Sequence, residues 1–255
     1  MNKFILILTV FIFSGTVYAE QTPIYKEGRI IYYNAPIDSN GFNIVKKLYN
    51  LEAGLLIFNS PGGEAGIAMK FAKWIIEHDL EIEIDRYCLS SCANYIFPAG
   101  KIKYLNEWSV IGWHGGALQF KKTPIELNDI RTVLSFSNNC DFSKLPKNNI
   151  LIFESKIKSE CVFYKSLSIN PIITMYGQTL NDIFYQKNVD FWSYSLDAME
   201  FLGINEIVVK GTDWTPVKMI QEKNIKYFQL NEIKEVLKKA GKSSLLFPLA
   251  TGAEP

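Results

Sequence analysis

The chain has 255 residues, with 27 basic against 26 acidic, 48% apolar and 21% charged residues. A charge so close to zero offers no electrostatic footprint for nucleic acid, and the apolar share excludes an intrinsically disordered chain. A chain of this length buries a large core without covalent staples, so its four cysteines are not required for folding.

The first 19 residues have the layout of a secretory signal peptide. Lys3 supplies a positive start, Phe4 to Phe13 is an apolar run, and Val17-Tyr18-Ala19 is a small-x-small cleavage site. The run is short for a membrane-spanning helix. Cleavage after Ala19 removes one lysine and leaves 26 basic against 26 acidic residues, in one expected domain over 20–255. No later stretch is apolar for long enough to span a bilayer, so no integral membrane segment is expected after cleavage.

Arg29 to Tyr33 reads as a strand and Gly41 to Leu51 as a short helix. Gly54 to Phe58 is an apolar run stopped by Asn59-Ser60-Pro61-Gly62-Gly63, the pattern of a buried strand ending in a turn. Glu64 to His78 carries apolar residues at 67, 68, 71, 72, 75 and 76, a helical stripe. Leu80 to Ile84 alternates as a strand does. Ser90 to Phe97 is a short helix stopped by Pro98-Ala99-Gly100, and Val110 to Trp113 a short strand ended by His114. The alternation of strand and helix implies crossovers and a mainly parallel sheet in an α/β fold. A polar, irregular stretch follows, an expected insertion over about 115–170. Within and beyond it, Ile150 to Tyr176, Thr179 to Tyr185 and Ser195 to Leu202 read as mainly helical, and Ile207 to Val209 as a late strand. Glu232 to Ala240 is an amphipathic helix with Asn231 placed as its cap.

Cys88, Cys92, Cys140 and Cys161 form an even set in a chain expected to be exported, which points to disulfides. Three connectivities are open. The favoured bridge closes the polar segment between Cys140 and Cys161. Cys88 and Cys92 lie four apart, with both sulfurs on one face if the turn is helical. Zinc ligation is disfavoured: neither pair has C-x2-C spacing, and His78 and His114 are the two histidines. No metal and no cofactor are expected.

Three segments carry chemistry at the ends of predicted strands, where open α/β sheets place their sites. Gly62 and Gly63 leave backbone N–H groups unshielded beside a helix start, which suits an oxyanion. In Ser90-Ser91 a serine opens a helix, with the N–H of Cys92 as a second donor. His114 ends a strand and is placed to act as the base for a serine. Singly, each has a plainer explanation: a turn, a helix cap, a structural histidine.

Taken together they resemble a known family. Asn59-Ser60-Pro61-Gly62-Gly63 is similar to the NSPGG turn of the Clp-type serine proteases of the ClpP/crotonase superfamily. There the nucleophilic serine opens a helix ending in Ala-Gly, the glycine nine residues on; Ser91 stands at that spacing from Gly100. The family's base follows about 25 residues on in an apolar strand, and His114 lies 23 residues after Ser91. Tyr176-Gly177-Gln178-Thr179-Leu180 resembles the family's TGQSL, and Ser195 to Ile204 its SAPEAVEYGLVD. The resemblance spans roughly residues 27 to 210. It implies repeated β-β-α units with a mainly parallel sheet and flanking helices. It also implies a serine peptidase with Ser91 as nucleophile, His114 as base and an oxyanion hole from Gly62 or Gly63 and Cys92. Gln186 falls where the family has its aspartate; glutamine can orient an imidazole but carries no charge to stabilise an imidazolium. Asp190 lies one helical turn onward and stands as the candidate third residue, with Asp182 one turn before.

The signal peptide and the cysteines make the chain most similar to periplasmic members of that superfamily. A periplasmic or secreted hydrolase acting on a peptide or protein substrate is therefore expected. Ring assembly by relatives leaves a homo-oligomer open, but residues 115 to 170 differ too much from theirs to imply a stoichiometry. The rival from another class is an inactive ClpP-like module that binds a peptide or protein partner, supported by the absent aspartate and an aromatic content of 14%. A CoA-thioester enzyme is disfavoured by export. A Ser-Lys dyad using Lys101 or Lys103 is made unnecessary by His114.

Overall fold

The computed structural model describes residues 23–117, 119–120, 140, 150–151, 154–178, 189–216 and 225–239. The signal segment, most of the insertion, the Thr179 to Tyr185 helix, Asp182 and Gln186 lie outside them. The fold is α/β, a mainly parallel mixed sheet flanked by helices. Strands β1 (Ile24–Glu27) and β2 (Ile30–Tyr33) form an antiparallel hairpin at one edge. Strands β3 (Leu55–Ser60), β4 (Glu81–Leu89) and β5 (Lys103–Asn106) then continue the sheet in parallel.

Strand β4 is longer than its alternating Leu80 to Ile84 run suggests, and it forks. Its first half, Ile82 to Ile84, pairs with β5. Its second half, Tyr87 to Leu89, pairs with β6 (Val110–Gly112). The step between these partners is a turn in which the Ser109 N–H donates to the Asn106 carbonyl at 2.9 Å. Two short strands complete the pattern in the insertion, β7 (Gln119–Phe120) and β8 (Ile150–Leu151), paired antiparallel. Strand β9 (Phe191–Tyr194) lies outside the main sheet. The far edge is β10 (Ile207–Lys210), parallel to β5. Strand β11 (Ile225–Phe228) pairs with β9 in a small second sheet.

Helix α1 (Ser39–Leu48) starts at Asp38, whose carboxylate accepts the Gly41 N–H at 2.7 Å. That cap supplies an acceptor for one of the donors a helix start leaves unpaired. Helix α2 (Ala65–Glu77) follows the apolar stripe and buries Ala68, Met69, Phe71, Ala72 and Ile75. Phe71 is fully buried, stacked on Phe42 at 4.6 Å and 5.7 Å from Phe58. Phe71→Ala is therefore expected to cost about 3–5 kcal/mol, read as a lower denaturant midpoint at unchanged slope. His78 ends α2 against Trp74 and Tyr49, at 4.5 and 4.9 Å between ring centres, so it is structural.

After β4 comes a π-helical turn over Cys92–Ile96, then α3 (Phe97–Ala99). Helix α4 (Glu154–Ser166) follows the insertion, and α5 (Leu196–Phe201) the small sheet. Helix α6 (Leu230–Lys239) starts two residues before the expected Glu232. Asn231 thus lies inside its first turn, and the Glu232 carboxylate reaches back to the Gln229 N–H at 2.7 Å, half of a capping box. Both cysteine pairs are disulfide-bonded, Cys88 to Cys92 and Cys140 to Cys161. No helix among the described residues is long and apolar enough to cross a membrane.

Candidate functional site

A polar row crosses the sheet where β2, β3 and β5 end and where β4 forks at Asp85. Asn59 at the end of β3 donates to Asn34 at 2.8 Å and to Asp85 at 3.1 Å, and accepts the Arg86 N–H at 2.7 Å. Asn106 at the end of β5 donates to the other Asp85 oxygen at 2.9 Å. These bonds fix the point at which the chain leaves β3 for the glycine turn. Ile37 clamps that turn from outside: its N–H donates to the Gly62 carbonyl and its carbonyl accepts the Glu64 N–H, both at 2.8 Å.

Gly62 has φ +90, and a Cβ there would lie 2.6 Å from the Leu89 carbonyl and from Ser90 Cβ. Only a residue without a side chain lets the turn approach the serines this closely. Gly62→Ala is expected to lower stability by about 1–3 kcal/mol through backbone strain alone, read by chemical denaturation.

Ser90 follows β4 with φ +56, a left-handed backbone seldom taken by residues with a side chain. Its N–H donates to the Gly112 carbonyl at 2.8 Å, which joins it to the end of β6. The Cys88–Cys92 disulfide spans it. Ser91 opens the helical segment and is buried. The Phe97 N–H reaches back five residues to the Cys92 carbonyl, the bond of a π-turn, which holds an extra residue relative to an α-helix.

His114 projects just past β6. The adjacent Trp113 and Trp192 exchange backbone hydrogen bonds at 2.8 Å each, which docks β9 beside the histidine. The His114 ring meets the Phe191 ring edge-on, 5.4 Å between centres. Its Nε2 lies 2.5 Å from the Ser90 hydroxyl. Although part of the residue faces solvent, the atoms packed round the ring hold its pKa below the usual histidine value, against a smaller raising effect of its own backbone carbonyl. A neutral ring with its proton on Nδ1 leaves Nε2 free to accept from a hydroxyl.

The serine facing His114 is thus Ser90, one residue before the expected Ser91. The Ser91 hydroxyl instead accepts the Gly63 N–H at 2.8 Å. The Ser60 hydroxyl accepts the Gly62 N–H at 3.2 Å. Both glycine donors expected to form an oxyanion hole therefore hold serine oxygens. With the reference serine moved back by one, the donor following it becomes the Ser91 N–H rather than that of Cys92. The Ser91 nitrogen lies 3.0 Å from where a Gly62 Cβ would be, on the same side as the glycine turn.

Among the described residues, no carboxylate makes a hydrogen bond to His114, while Gln186 and Asp182 lie outside them. Asp190 is exposed, precedes Phe191 and makes no hydrogen bond to His114. Lys103 lies away from the serines. Its buried ammonium donates to the Gly100 carbonyl at 2.7 Å, beside a cavity of about 240 Å³ lined by Ile76, Leu167, Ile169 and Ile204 among others. No group of metal-ligating side chains forms among the described residues.

Sequence reasoning also missed Phe191, which meets the His114 ring, and Asn94 and Glu160, which hold the backbone of Gly115 and Ala117 just after it. Asn94 lies inside what reads as a uniform helix, and Glu160 is one acid among many; only the fold brings them to the segment after His114. Compared with models of known families and with curated proteins, the chain matches none.

Proposed function

We propose that the protein is an exported serine hydrolase, probed best as a peptidase, built on a ClpP/crotonase-like architecture. The observation that carries this reading is the Ser90 hydroxyl against His114 Nε2 at 2.5 Å, beside a glycine turn and a helix start. Ser90 Oγ attacks the substrate carbonyl while His114 takes the hydroxyl proton. The carbonyl oxygen becomes an oxyanion held by the Ser91 N–H and, once the Ser91 hydroxyl gives way, by the Gly63 N–H. The imidazolium returns its proton to the leaving amine, and water completes the cycle on the acyl-enzyme. With no carboxylate on His114 among the described residues, the site is read as a dyad and turnover is expected to be slow: replacing the aspartate of a triad by its amide costs about 10⁴-fold. The two disulfides fit a periplasmic or secreted location.

The second reading is an inactive module that keeps the cleft for binding a peptide or protein. The Ser91 hydroxyl on the Gly63 N–H favours it, because a substrate oxygen must displace that contact. Fluorophosphonate labelling of the mature protein, with the adduct located by mass spectrometry, separates the two. An adduct on Ser90 is the expected result. No adduct, together with retained peptide binding, establishes the module instead.

A further inference from the structure

We propose that Asn94 is a positioning residue that holds His114 at reacting distance from Ser90; this rests on the dyad reading above. His114 lies between two carbonyls, Gly112 before it and Gly115 after it. Both are held by the serine-bearing segment. The Ser90 N–H donates to the Gly112 carbonyl at 2.8 Å. The Asn94 side chain donates from Nδ2 to the Gly115 carbonyl at 2.7 Å. Asn94 is in turn tied to Ser90, because its own N–H donates to the Ser90 carbonyl at 2.9 Å.

The side after His114 is where a lock is required. Gly115 and Gly116 follow it, and Gly115 has φ +134, so this stretch has no side chain to restrict its backbone. Strand β6 fixes the approach to His114 but not the departure. Asn94 is also braced from behind: the Tyr164 hydroxyl of α4 donates to its carbonyl at 2.9 Å. On the same helix Glu160 accepts the Ala117 N–H at 2.8 Å and the Tyr95 hydroxyl at 2.7 Å. The segments carrying nucleophile and base are thus fastened to one helix.

The Asn94 amide is buried, and its Oδ1 has no hydrogen-bond partner among the described residues. An apolar side chain of similar volume would fill the space without burying an unmatched acceptor. The donor to Gly115 is what the amide adds.

The test compares the wild type with Asn94→Leu and Asn94→Asp, both of which keep the asparagine branching at Cγ. Fluorophosphonate inactivation is resolved into its maximal rate and its half-saturation constant, and the His114 ring signals are followed by NMR without ligand. The maximal rate is expected to fall by about 10- to 100-fold, the cost of roughly an ångström of misplacement, with half-saturation nearly unchanged. The His114 signals should shift as the ring leaves the edge of Phe191, while the Trp192 indole signal stays in place. Folded variants with the wild-type maximal rate and unmoved His114 signals overturn the proposal. So does failure of both variants to fold, which makes Asn94 a structural residue only. If the wild type itself takes no label, the hydrolase reading falls, and the His114 signals alone still decide the role of Asn94.

Discussion

Ser90→Ala is expected to abolish fluorophosphonate labelling and lower amide hydrolysis by about 10³-fold or more, because it removes the proposed nucleophile. Ser91→Ala is expected to keep both, within about tenfold of wild type, since it removes only the hydroxyl that occupies the Gly63 N–H. The contrast between adjacent serines makes the experiment decisive. General disturbance of the turn would weaken both variants alike. Loss of activity in Ser91→Ala with retention in Ser90→Ala would place the nucleophile at the second serine and overturn the geometric assignment.

The second large effect concerns stability. Burial lowers the Lys103 pKa from 10.5 to about 8, and nearby Glu206 offsets part of that. Between those values the unfolded chain holds a proton that the folded chain has released. Lys103 therefore adds a contribution that makes the fold more stable as pH rises through that window, with its full penalty present below about pH 8. The difference amounts to about 3 kcal/mol. Buried tyrosines with raised pKa, Tyr33 and Tyr176 among them, act in the opposite direction above pH 10. The quantity to read is accordingly the stability difference between Lys103→Met and wild type. It should favour the variant most near pH 7 and shift toward the wild type by about 3 kcal/mol at pH 10.5. A pH-independent difference would mean that the folded and unfolded chains titrate alike at this lysine.

Elements whose pattern reflects one dominant force were legible in the sequence. The stripe of α2 and the buried run of β3 follow from burial alone, and the turn at Gly62 and Gly63 from its lack of side chains. Strands β5 and β9 escaped notice because Lys103-Tyr104-Leu105-Asn106 and Phe191-Trp192-Ser193-Tyr194 owe their pairing to neighbours distant in sequence. The sequence left three cysteine connectivities open; the favoured Cys140–Cys161 bridge is formed, and with it Cys88–Cys92. The serine that faces His114 stands one residue before the expected Ser91, and the helical turn between it and Gly100 accounts for the step. Counting nine residues back from Gly100 assumes the α-helical number per turn, and the π-turn over Cys92–Ile96 holds one more. A count that ends on Ser91 along the chain ends on Ser90 in space. Asn94, inside that same turn, had no sequence signal because its partners, the carbonyls of Ser90 and Gly115, are backbone atoms.

The fork in β4 gives the cleft its own mode of failure. The glycine turn hangs from the stem, on β3, whereas His114 hangs from the branch made by β6 and β9. The branch meets the stem along three residue pairs, Tyr87 to Leu89 against Val110 to Gly112, and beyond them through the Ser90 and Asn94 bonds to the Gly112 and Gly115 carbonyls. Cooperative units of a protein open at different free energies, and short pairings open first. Parting of the branch would carry the imidazole away from the rest of the sheet, so under the proposed dyad loss of reactivity is expected before loss of fold. Fastening the branch to the stem would then extend working life more than strengthening the core.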